Sequence, residues 1–247
     1  MHRIVLSDSS AGLPRRKEKI VDNVLSEIKT AVISGDLNAI VALTERALDE
    51  GLEAGEILSS GLMPGMQHVG EEFKVGRVFV PEVLLSARTM KMSMSSLQPY
   101  LGSGAAPEMG EVVIGTVKGD LHDIGKNLVR MMMEGAGFRV HDLGIDVSPQ
   151  AFVGALKDRQ PGIVAMSALL TTTMVFMEDV INAINEAGMR DRVRIMVGGA
   201  PVTADFAARI GADGYAPNAA EAADLARELI GGDATTARRE VRTSESQ

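Results

Sequence analysis

From residue 111 onward, short apolar runs alternate with helix-patterned stretches, and this alternation restricts the fold more than any other feature of the chain. The runs are "EVVIGTV" (111–117), "FRVHDLG" (138–144), "GIVAMSAL" (162–169), "VRIMVGG" (193–199) and "ADGYA" (212–216). Between and after them lie "IGKNLVRMMMEGAG", "SPQAFVGALKDRQ", "TTTMVFMEDVINAINEAG", "TADFAARIG" and "NAAEAADLARELIG", each with helical spacing and most opened or closed by Ser, Thr, Asn or Gly. Strands buried on both faces read as continuous apolar runs, and strands separated by helices must run parallel through right-handed crossovers. The expected fold is α/β, a five-stranded parallel Rossmann-like (flavodoxin-like) domain over 111–232.

Residues 17–101 carry a different period. Ile20, Val24, Ile28 and Val32 fall on one helix face, and "SGD" at 34–36 breaks the run with Asp36 as an N-cap. Leu37, Ile40, Val41, Thr44 and Leu48 form a second stripe, and Leu58, Leu62, Met66, Val69 and Phe73 a third, which Pro64 should kink or restart. "KVGRVFVPE" reads as a turn with an extended piece. Val83, Leu84, Ala87, Met90, Met94 and Leu97 are expected to face inward from a fourth helix. The outline is a four-helix bundle. "GSGAAPEMG" (102–110) is a linker by composition, and 1–16 and 233–247 read as polar tails.

Composition narrows the function classes. Net charge is -8, from 25 basic and 33 acidic residues, with no basic stripe, so nucleic acid is not an expected partner. The chain has no Cys, which removes disulfides and thiolate metal sites. No apolar h-region opens the sequence and no run approaches the ~20 residues of a membrane span. The expected location is the cytoplasm. Fifteen Met give a soft core that can accept an irregular ligand or simply fill gaps.

In an open parallel sheet, ligands bind beyond the carboxyl ends of the strands. Three such ends concentrate Gly, Ser, Thr and His here: "KGDLHDIGKN", "SALLTTT" and "GGAP". Asp120 stands two residues before His122 and can fix its tautomer, leaving the other ring nitrogen as ligand or base. Gly125 opens the next helix, where a side chain would obstruct a close-packed ligand. The alternative is that Asp120 or Asp123 caps the helix and His122 faces solvent. Gly198 and Gly199 permit close backbone approach or a plain tight turn. Ser167 can meet a nucleotide base or cap a helix. His2, His68 and His141 match no metal-ligand spacing, and neither a P-loop nor G-x-G-x-x-G occurs.

Asp120-Leu121-His122-Asp123-Ile124-Gly125, Ser167-Ala168-Leu169 and Gly198-Gly199 together resemble the D-x-H-x-x-G, S-x-L and G-G motifs of the cobalamin-binding family. "GLMPGMQHVGEEFKVGRVFVPEVLLSARTMKMSMSSLQPYL" (61–101) resembles the helical cap preceding the corrinoid domain in methionine synthase and in the small corrinoid proteins of methanol, methylamine, glycine betaine and methoxy-arene methyltransferase systems. The resemblance spans about residues 17 to 232.

What it implies is specific. The bound group is cobalamin, as methylcobalamin or the Co(I) corrinoid, held base-off and His-on. His122 is the lower axial ligand of cobalt, Asp120 tunes it, and Thr173 completes the relay where methionine synthase has a Ser. Ser167 contacts the displaced base; Leu169, Gly198 and Gly199 line the tunnel for its tail. Phe73 and Val80 match cap positions that shield the methyl group. The implied role is a methyl carrier, a subunit of a corrinoid-dependent methyltransferase system. Its partners would be a substrate-specific methyltransferase, a second methyl-acceptor methyltransferase and a reductive activase. Methylated amines are the favoured donors, and tetrahydrofolate or a thiol the acceptor. The linker at 102–110 would be a hinge. The alternatives are a cobalamin-dependent sensor, a mutase subunit, and a receiver-like domain without cofactor.

Overall fold

The structure, a computed structural model, describes residues 13–101 and 109–231. Most of the tail expected at 1–16, the tail at 233–247 and most of the linker at 102–110 therefore lie outside the described residues. The first expectation ran four residues too far: helix α1 spans Leu13–Ser34. Pro14 falls in its first turn, where a missing N–H costs nothing. By their contacts, residues 13–68 and 85–101 form one compact unit and residues 69–84 and 109–231 another.

In the first unit, α1 buries Val24, Leu25, Ile28, Ala31 and Val32. The Asp36 carboxylate accepts the N–H groups of Asn38 and Ala39 (both 3.0 Å) at the start of α2 (Ala39–Asp49). The next helix begins as α3 (Ala54–Glu56), widens into a π-helical stretch at Ile57–Leu62, and continues as α4 (Met63–Lys74). Of the two expectations for Pro64, a kink or a restart, the second holds: the wider turn precedes it and Pro64 lies in the first turn of α4. Gly61 and Gly65 lie against α1. A Cβ on Gly65 would come within 2.8 Å of Val32, so the two helices approach more closely than larger residues permit.

Helix α5 spans Val80–Leu97 and follows a turn rather than an extended piece. Its buried stripe is also not the expected one. Val83, Met90 and Leu97 are buried, but so are Ser86, Thr89 and Ser93, whereas Leu84 is exposed. Thr89 donates its hydroxyl to the Leu85 carbonyl (2.9 Å), and the hydroxyls of Ser93 and Thr44 bond each other at 2.6 Å. Hydroxyls satisfied in this way can occupy a buried face, which apolar periodicity alone does not reveal.

The second unit contains a five-stranded, wholly parallel sheet in the order β2-β1-β3-β4-β5. The strands are β1 (Gly110–Thr116), β2 (Phe138–Asp142), β3 (Ile163–Ser167), β4 (Arg194–Gly198) and β5 (Gly214–Ala216). Helices α6 (Ile124–Gly135), α7 (Pro149–Arg159), α8 (Val175–Glu186), α9 (Ala204–Ile210) and α10 (Ala219–Gly231) join or follow them. Ser148 caps α7 through the Ala151 N–H, and Thr203 caps α9 through that of Phe206. Val113, Val164, Met166, Ile195 and Val197 pack against Phe152, Met177, Val180, Ile181 and Phe206 in one core. The chain order reverses between β1 and β3, which sets the switch point there. Register places Thr116 beside Ser167, Ser167 beside Gly198, and Gly198 beside Ala216, so the carboxyl ends form one row.

Candidate functional site

The loop after β1 carries Asp120, which is fully buried. An unpaired carboxylate at such depth would be costly, and this one is saturated with donors. Its Oδ1 accepts from His122 Nδ1 at 2.7 Å and from the His122 backbone N–H at 3.1 Å. Its Oδ2 accepts from Thr173 Oγ1 at 2.6 Å and from the backbone N–H groups of Leu169 and Leu170 at 2.7 and 3.3 Å. Burial by itself pushes the carboxyl up. The bonds from Thr173, Leu169 and His122 outweigh it and hold the group well below the usual carboxylate range.

An ionised carboxylate only accepts, so the proton facing it belongs to His122 Nδ1. In the neutral ring the lone pair is then on Nε2. The His122 side chain is half exposed, so one nitrogen is spoken for and the other is available. Thr116, also buried, donates its hydroxyl to the His122 carbonyl at 2.9 Å. The main chain of His122 is thereby held at both ends. Asp120 and Asp123 do not cap α6: Asp123 stands at its N-cap position without a side-chain bond to the backbone, and its carboxylate takes the Asn127 amide instead.

The other expected residues fall as follows. Ser167 ends β3, half-buried; α8 opens only at Val175, too far on for Ser167 to cap it. Leu169 has an exposed side chain and contributes its N–H to Asp120. Gly198 ends β4. Gly199 has φ 130°, and a Cβ there would stand 1.9 Å from the Ala168 carbonyl oxygen, so only glycine fits. At Gly125, in the first turn of α6, a Cβ would meet nothing within 4 Å. Phe73 is half-buried on α4 and Val80, exposed, is the first residue of α5. Hydrogen bonds thus join Asp120, His122, Leu169 and Thr173, and strand register joins Thr116, Ser167 and Gly198. Gly125, Phe73 and Val80 take no part in that network.

Sequence reasoning missed several contributors. Lys126 is buried on α6 and places its ammonium on Asp142 Oδ2 (2.5 Å) and on the Asn127 amide oxygen (3.0 Å). Burial pushes the Asp142 carboxyl up, but Lys126, the Gly144 N–H and Arg130 together lower it. A Lys one residue after a helix-opening Gly was the available signal, since α6 turns that position inward.

Among the described residues no three His, Asp or Glu side chains converge as a metal site. The carboxyl ends of β1, β3 and β4 lie in one row, the place where an open parallel sheet offers its ligand site.

Comparison with known proteins supplies the particular ligand. Residues 110–224 match the B12 binding domain, and residues 24–98 match a second family model with the same description. A corrinoid protein of Desulfitobacterium hafniense strain Y51 is 38% identical over 86% of this chain and 100% of its own length. Dimethylamine corrinoid protein 2 of Methanosarcina acetivorans is 42% identical over 85% of this chain and 97% of its own. Among solved structures, the methanol:cobalamin methyltransferase complex of Methanosarcina barkeri superposes with a TM-score of 0.80 at 28% identity, covering 96% of this chain and 94% of the matched one. The chain belongs to the corrinoid proteins and binds cobalamin through its B12-binding domains.

The residues present fit such a group. His122 offers one imidazole nitrogen. Leu121 and Ile124, its near neighbours in the chain, are 67% and 79% exposed, an apolar surround suited to the face of a macrocycle. Gly125 leaves open space on the same turn, and Gly199 lets two strand-end loops touch. Among the described residues no helix is long and apolar enough to cross a membrane.

Proposed function

We propose that this chain carries a methyl group on the cobalt of bound cobalamin between two partner methyltransferases, with His122 as the lower axial ligand and the cofactor's own base displaced. The bound corrin supplies a cobalt centre that accepts the methyl group from one partner and gives it up to the other. Every other task falls to the chain. Asp120 holds the proton on His122 Nδ1 and so keeps Nε2 free to bind. Thr173 and the Leu169 N–H keep Asp120 ionised. Ser167, Leu169, Gly198 and Gly199 accommodate the displaced base and its tail, and Gly125 gives clearance below the ring. Phe73 and Val80 shield the upper side from water.

The observation that carries this reading is the saturated Asp120 carboxylate, aimed at one nitrogen of a half-exposed histidine and leaving the other unclaimed. In domain terms, residues 17–101 act as the helical cap, 102–110 as a hinge and 111–232 as the cobalamin-binding domain. The donor we favour is a methylated amine, in keeping with the names of the dimethylamine and trimethylamine corrinoid proteins among the relatives. The acceptor is tetrahydrofolate or a thiol. A reductive activase serves as a third partner, and the setting is cytoplasmic. The sensor alternative gains no support from these relatives.

The test is to load the purified chain and its His122→Ala variant with hydroxocobalamin and compare visible spectra. The wild type is expected to bind with its own base displaced, and the variant to differ in spectrum. Failure to bind, or identical spectra, would remove the axial role. After a Ti(III) reductant has brought the bound cobalamin to Co(I), methylation of the loaded chain is followed by its visible spectrum with each candidate amine and its matching methyltransferase.

A further inference from the structure

The loop between β2 and α7 lies outside the motifs that marked the site, yet it braces the turn that carries His122. At its centre Asp146 adopts φ 52°, a left-handed conformation that non-glycine residues seldom take. Its carboxylate Oδ1 accepts the Gly119 N–H at 2.7 Å, and its own N–H donates to the Asp120 carbonyl at 3.0 Å. On either side the two segments are zipped. Thr116 N–H donates to the Gly144 carbonyl (3.0 Å), Val147 N–H donates to the Thr116 carbonyl (2.9 Å), and Val117 and Val147 form a parallel bridge. The base of the brace is fixed in turn. Asp142 Oδ1 accepts the Gly144 N–H at 2.9 Å while Oδ2 holds the buried Lys126.

We propose that Asp146 is a positioning residue for His122, fixing the 117–122 turn before the cofactor arrives. This rests on the reading of His122 as the axial ligand. The choice of residue is chemically narrow. Glycine would supply the left-handed backbone but no acceptor. Alanine would supply neither. Asparagine, which also tolerates this conformation, keeps an oxygen for the Gly119 N–H. A turn ordered in advance spares the ligand the entropy of ordering it, and keeps the Asp120–His122 geometry within the tolerance that metal coordination demands.

The experiment compares wild type, Asp146→Gly and Asp146→Asn in two ways. Amide hydrogen exchange at Gly119 and His122 is measured on the cofactor-free chains. The axial-nitrogen splitting in the electron paramagnetic resonance spectrum is measured on chains loaded with cob(II)alamin, with isotope-labelled histidine identifying the nitrogen. Asp146→Gly is expected to exchange Gly119 roughly tenfold faster, the loss of one charge-assisted hydrogen bond. It should also show a smaller histidine-coordinated fraction, and Asp146→Asn should restore most of both. Unchanged exchange in Asp146→Gly overturns the proposal. So does faster exchange with an unchanged histidine-coordinated fraction. If wild type itself shows no histidine splitting, the axial reading fails separately, and with it the positioning role.

Discussion

Two regions of this molecule bury polar side chains completely, and they do so in opposite ways. In the helical unit, Thr89 closes onto a carbonyl of its own helix, and Thr44 both does so and meets Ser93 on a neighbouring one. Each hydroxyl is satisfied and nothing is left to offer. At the sheet, Asp120 gathers donors on Oδ2 from the loop after β3, and its Oδ1 holds one imidazole whose second nitrogen remains accessible. Both arrangements obey the rule that buried polar atoms find partners. The difference lies in what is left over. A locally closed hydroxyl is packing, whereas a charge sustained by distant donors and aimed at a half-exposed ring is equipment for binding.

Substitutions put that contrast to the test. Asp120→Ala removes the acceptor of three strong donors and should cost about 4 kcal/mol of folding stability, measured by urea unfolding of the cofactor-free chain. A loss below about 1 kcal/mol would mean that the carboxylate is not what orders the loops. Gly199→Ala meets the Ala168 carbonyl and a backbone angle foreign to alanine. We expect about 3 kcal/mol of destabilisation and loss of cobalamin uptake.

Asp142→Asn should cost about 2 kcal/mol at neutral pH by weakening the hold on buried Lys126. Because the folded state lowers the Asp142 carboxyl, its contribution is complete above the unfolded value near ~4 and fades as pH falls through the folded value. The gap between wild type and Asp142→Asn should therefore narrow below about pH 4, in acid-unfolding curves run side by side. The smallest effect belongs to the helical unit. Thr44→Val combined with Ser93→Ala removes both partners of a satisfied pair and should shift stability by less than about 1 kcal/mol in thermal unfolding.

Much of the fold was legible in the sequence because strand ends and helix caps leave local marks. The apolar runs located all five strands, and Ser148 and Asp36 signalled the helix starts that they mark. D-x-H placed Asp120 and His122 within one turn, and their bond follows from that proximity. What escaped notice is non-local or lacks apolar signature. The inward stripe of α5 includes Ser86, Thr89 and Ser93, and the expected Leu84 points to solvent. Lys126 is buried because a carboxylate on β2 receives it, sixteen residues away. Asp146 and Thr116 act through single bonds to main-chain atoms, which no spacing rule anticipates. Leu169 was expected to line the tunnel for the tail, and its N–H bond to Asp120 is a second contact that no motif announced.

The span of chain that meets at Asp120 also bears on when the site can exist. Its donors at Leu169 and Thr173 come from 49 and 53 residues downstream, across two intervening helices and two strands. Contacts of such separation form late, after β1 and β3 have paired, because closing long loops is entropically slow. Until β3 has joined β1, Asp120 Oδ2 therefore lacks the donors from Leu169, Leu170 and Thr173, and the network that holds His122 is incomplete.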